Sequence, residues 1–214
     1  PILCRRLGEH GPEEVTLDQN ALAEGLPFFS VGAYAVSDDG RYLAYSTDVT
    51  GFRDYTLYVK DLATGALLPF EVEKSGAVAW AKDNKTLFYT TDDPAKRPHR
   101  VWRHVLGETE AALVYEEADE LFRVFVGRTR SREYMVLASA SHTTTEWRFA
   151  PADAPVGEWR MVAAREHEHE YDVDHHGDWL YIRTNDRGRN FRLVKAPVAS
   201  PGREHWTEVV PHRA

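Results

Sequence analysis

Val31 to Tyr45, VGAYAVSDDGRYLAY, reads as a strand, a tight turn and a second strand. Ala33 and Ala35 fall on one face of the first strand, Tyr34 and Val36 on the other. Ser37-Asp38-Asp39-Gly40 carries the turn: aspartate side chains bond to nearby backbone and glycine tolerates a positive φ. Beyond the turn, Tyr42 and Ala44 oppose Leu43 and Tyr45. Both faces of the hairpin are nearly all apolar, so both require cover. That is the pattern of a sheet stacked between two neighbouring sheets.

The unit recurs. Tyr55–Lys60 and Ala66–Phe70 add a third and a fourth strand. The pattern restarts with Ala77–Ala81, where Lys82-Asp83-Asn84-Lys85 takes the turn position, and continues through Thr86–Thr90, Arg100–Leu106 and Ala112–Tyr115. A third copy spans Phe122–Gly127, Tyr134–Ala138, Glu146–Phe149 and Trp159–Val162, with its turn at Arg128–Arg132. A fourth spans Tyr171–Val173, Trp179–Arg183, Phe191–Lys195 and Trp206–Val210, with its turn at Asp174–Gly177. The first turns centre near residues 39, 83, 130 and 175, so the period is about 44, 47 and 45 residues. Four strands per period of this length predict an all-β, β-propeller-type array of antiparallel blades. The expected division is 1–28 for trailing strands of an earlier blade and a connector, then blades at 29–75, 76–120, 121–166 and 167–214. The two leading strands have no partner strands of their own blade. The reading is a partial array, either closing on itself or forming an arc of a larger ring. An arc leaves open blade edges through which self-association is expected.

The 214 residues carry a formal net charge of −8, which argues against a nucleic-acid groove. No apolar run reaches the roughly 18 residues of a membrane span, and PILCRRLGEHG has no signal-peptide core. The single cysteine, Cys4, forms no internal disulfide. Together these point to a reducing, cytoplasmic location. The first residue is Pro1 rather than Met, which hints at a segment of a longer chain.

VTLDQN (15–20), FFSVGAYAVSDDGRYLAYSTD (28–48), YTLYVKDLATGALLP (55–69), AVAWAKDNKTLFYT (77–90), VWRHVLG (101–107) and HEYDVDHHGDWLYIRTNDRGRNFRL (169–193) resemble, in this order, the propeller of oligopeptidase B-type enzymes in the prolyl oligopeptidase family of serine peptidases. The resemblance implies a seven-bladed propeller beside an α/β-hydrolase domain with a Ser, Asp, His triad, cleaving short peptides after Lys or Arg. It implies that the propeller covers the active site and excludes folded proteins. This chain matches part of that propeller, its N-terminal half.

No G-x-S-x-G elbow between a strand and a helix is found, and Gly127 is followed by the hairpin residues Arg128 to Ser131. No catalytic residue is therefore assigned, substrate contacts are unknown, and no metal or cofactor is expected. The segment alone is expected to be inactive, with the parent's hydrolase domain and, through it, short basic peptides as partners. The alternative is a stand-alone propeller scaffold for a protein partner. A rival reading is metal binding: on a strand His167 and His169 share a face, and His175 or His176 supplies a third ligand. The competing reading is a polar loop between blades. Trp80, Trp102, Trp147, Trp159, Trp179 and Trp206 read as wedges between blades. Lys96, Arg97 and Arg100 read as a solvated basic loop or an interdomain contact, Ser141-His142 as a loop rather than a catalytic pair, and Gly188 as a turn glycine.

Overall fold

The computed structural model describes residues 1–6 and 8–213. It opens with an antiparallel pair, β1 (Ile2–Arg6) and β2 (Glu13–Asp18). A single helical turn follows, α1 (Gln19–Leu22), capped by the Asp18 carboxylate, which accepts from the N–H groups of Asn20 and Ala21. Four antiparallel sheets then follow in chain order. The first blade is β3 (Ser30–Val36), β4 (Tyr42–Asp48), β5 (Thr56–Asp61) and β6 (Leu67–Val72). The second is β7 (Ser75–Trp80), β8 (Thr86–Asp92), β9 (Pro98–Val105) and β10 (Ala112–Glu116). The third is β11 (Arg123–Arg128), β12 (Tyr134–Ala140), β13 (Thr145–Pro151) and β14 (Arg160–Ala163). The fourth is β15 (Tyr171–His176), β16 (Trp179–Thr184), β17 (Arg192–Pro197) and β18 (Thr207–Val210). Strand order within each blade follows the chain, as expected for propeller meanders. The blades form a partial propeller.

The core lies between blades. On β4, Leu43 and Tyr45 pack with Leu17 of the leading pair, while Ala44 turns the other way and joins Leu57, Val59, Trp80, Leu87 and Tyr89 of the first two blades. Phe88 and Val101 meet Val124, Val126, Met135 and Leu137 between the second and third blades. Val136, Phe149 and Val162 meet Tyr171, Leu180, Ile182 and Val194 between the third and fourth. A strand two positions from the axis is thus covered on both faces, which is why its sequence does not alternate with polar residues. Each fully buried Leu, Ile or Phe contributes about 1.5–3 kcal/mol.

The turns lock neighbouring blades as well. Asn84 Oδ1 accepts the Asp39 N–H at 3.0 Å, and Asp174 Oδ1 accepts the Arg130 N–H at 2.9 Å. Gly40, Asn84 and Arg132 all hold the left-handed conformation at the matching turn position (φ 74°, 59° and 63°). The fourth blade departs from the expected Asp174–Gly177 turn. There β15 runs on to His176, and Gly177 with Asp178 makes a two-residue hairpin, since His176 pairs directly with Trp179. Gly177 at φ 61° supplies the conformation this shorter turn requires.

Most tryptophans do act as wedges. Trp80 Nε1 donates across the blade boundary to the Ala35 carbonyl at 2.9 Å, Trp159 packs edge-on to Phe88, and Trp102, Trp147 and Trp206 pack against inter-blade cores. Trp179 instead lies under the Lys195 ammonium, 4.0 Å from the ring centre.

Candidate functional site

The first strand of each blade is the edge of its sheet, and β3, β7 and β11 together line a groove of about 600 Å3. Small residues keep it open: Gly32, Ala35, Gly76, Ala79 and Gly127 all line it. Two of these glycines are required by packing. A Cβ on Gly32 would lie 2.7 Å from the Tyr55 ring, and one on Gly76 would lie 2.6 Å from Thr90 Oγ1. At each site the strand register shifts, and the next amide finds a side chain: Ala33 donates to Ser46 Oγ at 2.8 Å, Ala77 to Thr90 Oγ1 at 2.9 Å. One end of the groove is spanned by charge. Asp38 of the first blade accepts from Arg128 (3.0 Å) and Arg132 (3.1 Å) of the third.

Glu117, in the linker after the second blade, is the centre of a buried ionic network. Its carboxylate accepts from Arg165 (2.6 Å), Ser139 Oγ (2.5 Å), Tyr115 OH (2.9 Å) and the Asp119 N–H (3.0 Å). Burial alone disfavours the charge, but these bonds, led by Arg165, outweigh it and hold the carboxyl down at about 2. The Arg165 guanidinium also covers the Phe122 ring at 4.1 Å. Every donor in the network comes from the second or third blade or the linkers that follow them, so it fastens consecutive blades together.

The histidines of the 165–176 run are dispersed. Residues 164–170 form a linker rather than a strand, and Glu168 turns the chain at φ 59°. His167 is therefore left exposed while His169 is buried, its Nε2 2.9 Å from Thr184 Oγ1 and its Nδ1 against Arg203. Burial and then Arg203 push the His169 pKa below its usual value. His175 points back to Ser131 of the third blade at 2.8 Å, and His176 is exposed. The shared strand face needed for a metal site does not form, and the described residues contain no group of three or more metal-type ligands.

The basic loop is only partly solvated. Arg97 is largely buried, pairs with Asp93 at 2.9 Å, and donates to the carbonyls of Glu117, Asp119 and Phe122 at 3.3, 3.0 and 2.9 Å. Lys96 bridges to Asp54 of the first blade at 3.0 Å, and Arg100 pairs with Glu116 at 2.9 Å. Ser141 closes its own turn by accepting the Thr144 N–H at 3.1 Å. Gly188 sits in a turn at φ 141°. Sequence reasoning missed Glu117 and Arg165 because each is an ordinary charged linker residue until the blades stack.

Residues 1–214 match the family model described as the prolyl oligopeptidase N-terminal β-propeller domain. The chain is 42% identical to dipeptidyl aminopeptidase BI of Pseudoxanthomonas mexicana over 96% of its own length and 29% of that protein's. It is 36% identical to protease 2 of Moraxella lacunata, covering 91% of this chain and 29% of that protein. Oligopeptidase B from Leishmania major superposes with a TM-score of 0.90 at 31% identity, over 99% of this chain and 31% of the other. The chain thus spans about a third or less of the length of these relatives. The blades, their order and the family match together establish that this chain belongs to the prolyl oligopeptidase family, as part of its N-terminal β-propeller domain.

Proposed function

We propose that this chain is the non-catalytic propeller segment of an oligopeptidase B-like serine peptidase in the cytoplasm, and that it gates access of short peptides to a hydrolase domain elsewhere in the parent chain. The observation that carries the reading is the superposition on oligopeptidase B over nearly the whole segment. The parent cleaves after Lys or Arg. The blade array acts by exclusion: its rigid inter-blade cores keep bulky chains out, while flexible peptides pass. Exposed ion pairs contribute about 0–1 kcal/mol each, a strength suited to an assembly that must open.

A second reading is supported by the 42% identity to dipeptidyl aminopeptidase BI, whose name describes release of dipeptides from a free amino terminus. Both are tested on the full-length parent with Arg-containing fluorogenic peptides of increasing length, blocked or free at the amino end. Cleavage of short blocked peptides that falls away with length supports the gated endopeptidase. Activity confined to free amino termini supports the dipeptidyl reading. Equal turnover of short peptides and unfolded proteins removes the gating role.

A further inference from the structure

The boundary between the first and second blades is packed differently from the next two. Between the second and third blades, the 152–159 loop joining β13 to β14 reaches across. Trp159 packs edge-on to Phe88, and the Pro155 carbonyl accepts from Arg103 at 3.3 Å. Between the third and fourth, the 198–206 loop does the same. Val198 and Trp206 pack on the core, and the carbonyls of Val198 and Ala199 accept from Arg160 at 3.0 and 2.8 Å. The matching loop of the second blade, 106–111, is shorter and carries no tryptophan. It leaves a cleft of about 560 Å3 against the first blade, walled by Tyr42, Leu68, Phe70 and Leu106. The cleft shares no lining residue with the groove along β3, β7 and β11.

The polar groups of this cleft select one kind of occupant. His104 lies in its wall, only 7% exposed, with its ring 4.6 Å from that of Phe70. Burial pushes the His104 pKa below its usual value, and no hydrogen bond to a described residue offsets this. At neutral pH the ring is therefore uncharged and keeps an unused acceptor nitrogen. A buried polar group without a partner is the exception in folded proteins. Glu108 stands exposed on the same cleft, with no ion pair to another described residue. Among the described residues, no lysine or arginine lines it. A carboxylate and a neutral imidazole both accept hydrogen bonds, so the cleft favours a cation that donates them and disfavours an anion. The aliphatic and aromatic wall favours a body that is apolar and flat.

We propose that this cleft binds a small primary arylalkylammonium compound, with its apolar body against Leu68, Phe70 and Leu106 and its ammonium donating to the His104 ring and the Glu108 carboxylate. The bound compound supplies the wedge that the longer loops give the next two boundaries. It ties the first blade to the second, so its binding raises the temperature at which they separate. The site does not depend on the peptidase reading.

Saturation-transfer NMR of the full-length parent with 2-phenylethylammonium tests this. A dissociation constant of about 1 mM is expected, from the usual affinity per heavy atom of a compound this size. The neutral analogue 2-phenylethanol should bind about tenfold more weakly, the worth of a charge-assisted hydrogen bond. Phenylacetate, an anion of the same shape, should not bind. Glu108→Gln and His104→Phe should each weaken binding about tenfold for the same reason. Glu108 is exposed, so its variant keeps the fold; Glu158→Gln, exposed on the longer loop of the third blade, should leave binding unchanged. The rise in thermal midpoint with the ammonium compound should shrink in step in the Glu108 variant. Absence of saturable binding overturns the proposal, as does 2-phenylethanol binding equally well. Undiminished binding by either cleft variant places the compound elsewhere in the parent and also overturns it. Peptide turnover is not read, so a parent that cleaves no basic peptide yet shows this pattern retains the site and removes only the peptidase reading.

Discussion

In the first two blades the hydroxyl near the end of the second strand serves the innermost strand: Ser46 and Thr90 each accept an amide freed by a bulge at Gly32 or Gly76. In the last two blades the hydroxyl one position further along the second strand faces the linker. Ser139 donates to Glu117, and Thr184 pairs with His169. The innermost strands there, β11 and β15, pair without a register break. The end of the second strand thus does two jobs, from residues one position apart in the repeat. The first depends on a missing Cβ and is sensitive to volume. The second depends on buried ionisable groups and is sensitive to charge and pH.

The largest effect is expected at the charged end of this contrast. Glu117→Gln leaves Arg165 facing a neutral group in a buried site, and breaking such a pair costs about 3 kcal/mol or more. The lowered pKa gives the same order: a drop from 4.5 to about 2 corresponds to about 3 kcal/mol. A denaturant midpoint for this variant within error of the unmodified chain would show that the network contributes little.

Next in size are the glycines. Gly76→Ala forces a Cβ to within 2.6 Å of Thr90 Oγ1 and is expected to cost about 1–3 kcal/mol. Gly32→Ala meets the Tyr55 ring and should behave alike. Gly127→Ala in the third blade meets only the ring of Phe125, which is 48% exposed and free to swing, so it should cost less than either. Equal losses at all three positions in thermal melts would erase the distinction between the blade pairs.

The smallest effect is a pH dependence to which the second pair contributes through His169 and Glu117, alongside His104 of the second blade, whose pKa burial also lowers. His169 has a folded-state pKa below its ordinary 6.5, so the unfolded chain takes up its proton first and stability falls as pH drops below about 6.5. Glu117 is also lowered, so its contribution is complete above about 4.5 and is lost as pH falls toward 2. His169→Gln should flatten the upper limb of a stability–pH curve and Glu117→Gln the lower one. If His169→Gln leaves the upper limb unchanged, the burial of His169 is not what sets it.

The repeat, the four strands of each blade and the turn residues were legible in the sequence because hydrophobic alternation and turn chemistry act over a few residues. Asn84 standing where Gly40 stood was readable, since both tolerate the left-handed turn conformation. The fourth turn was misplaced because Asp174 and His175 look like turn residues. They are instead strand residues whose side chains bond to Arg130 and Ser131 of the preceding blade. The histidine run invited a metal reading for the same reason: local spacing suggested a shared face, and the kink at Glu168 removed it.

Period and polarity are properties of neighbouring residues, so the chain alone specified a stack of four-stranded units with cover needed on both sides. Tertiary structure alone decided that Arg97 is buried, that Glu117 anchors an ionic network, and that Asp38 pairs with Arg128 and Arg132 of the third blade. Those outcomes depend on residues from about 20 to more than 90 positions apart meeting when the blades stack, and no local pattern encodes which of them will meet.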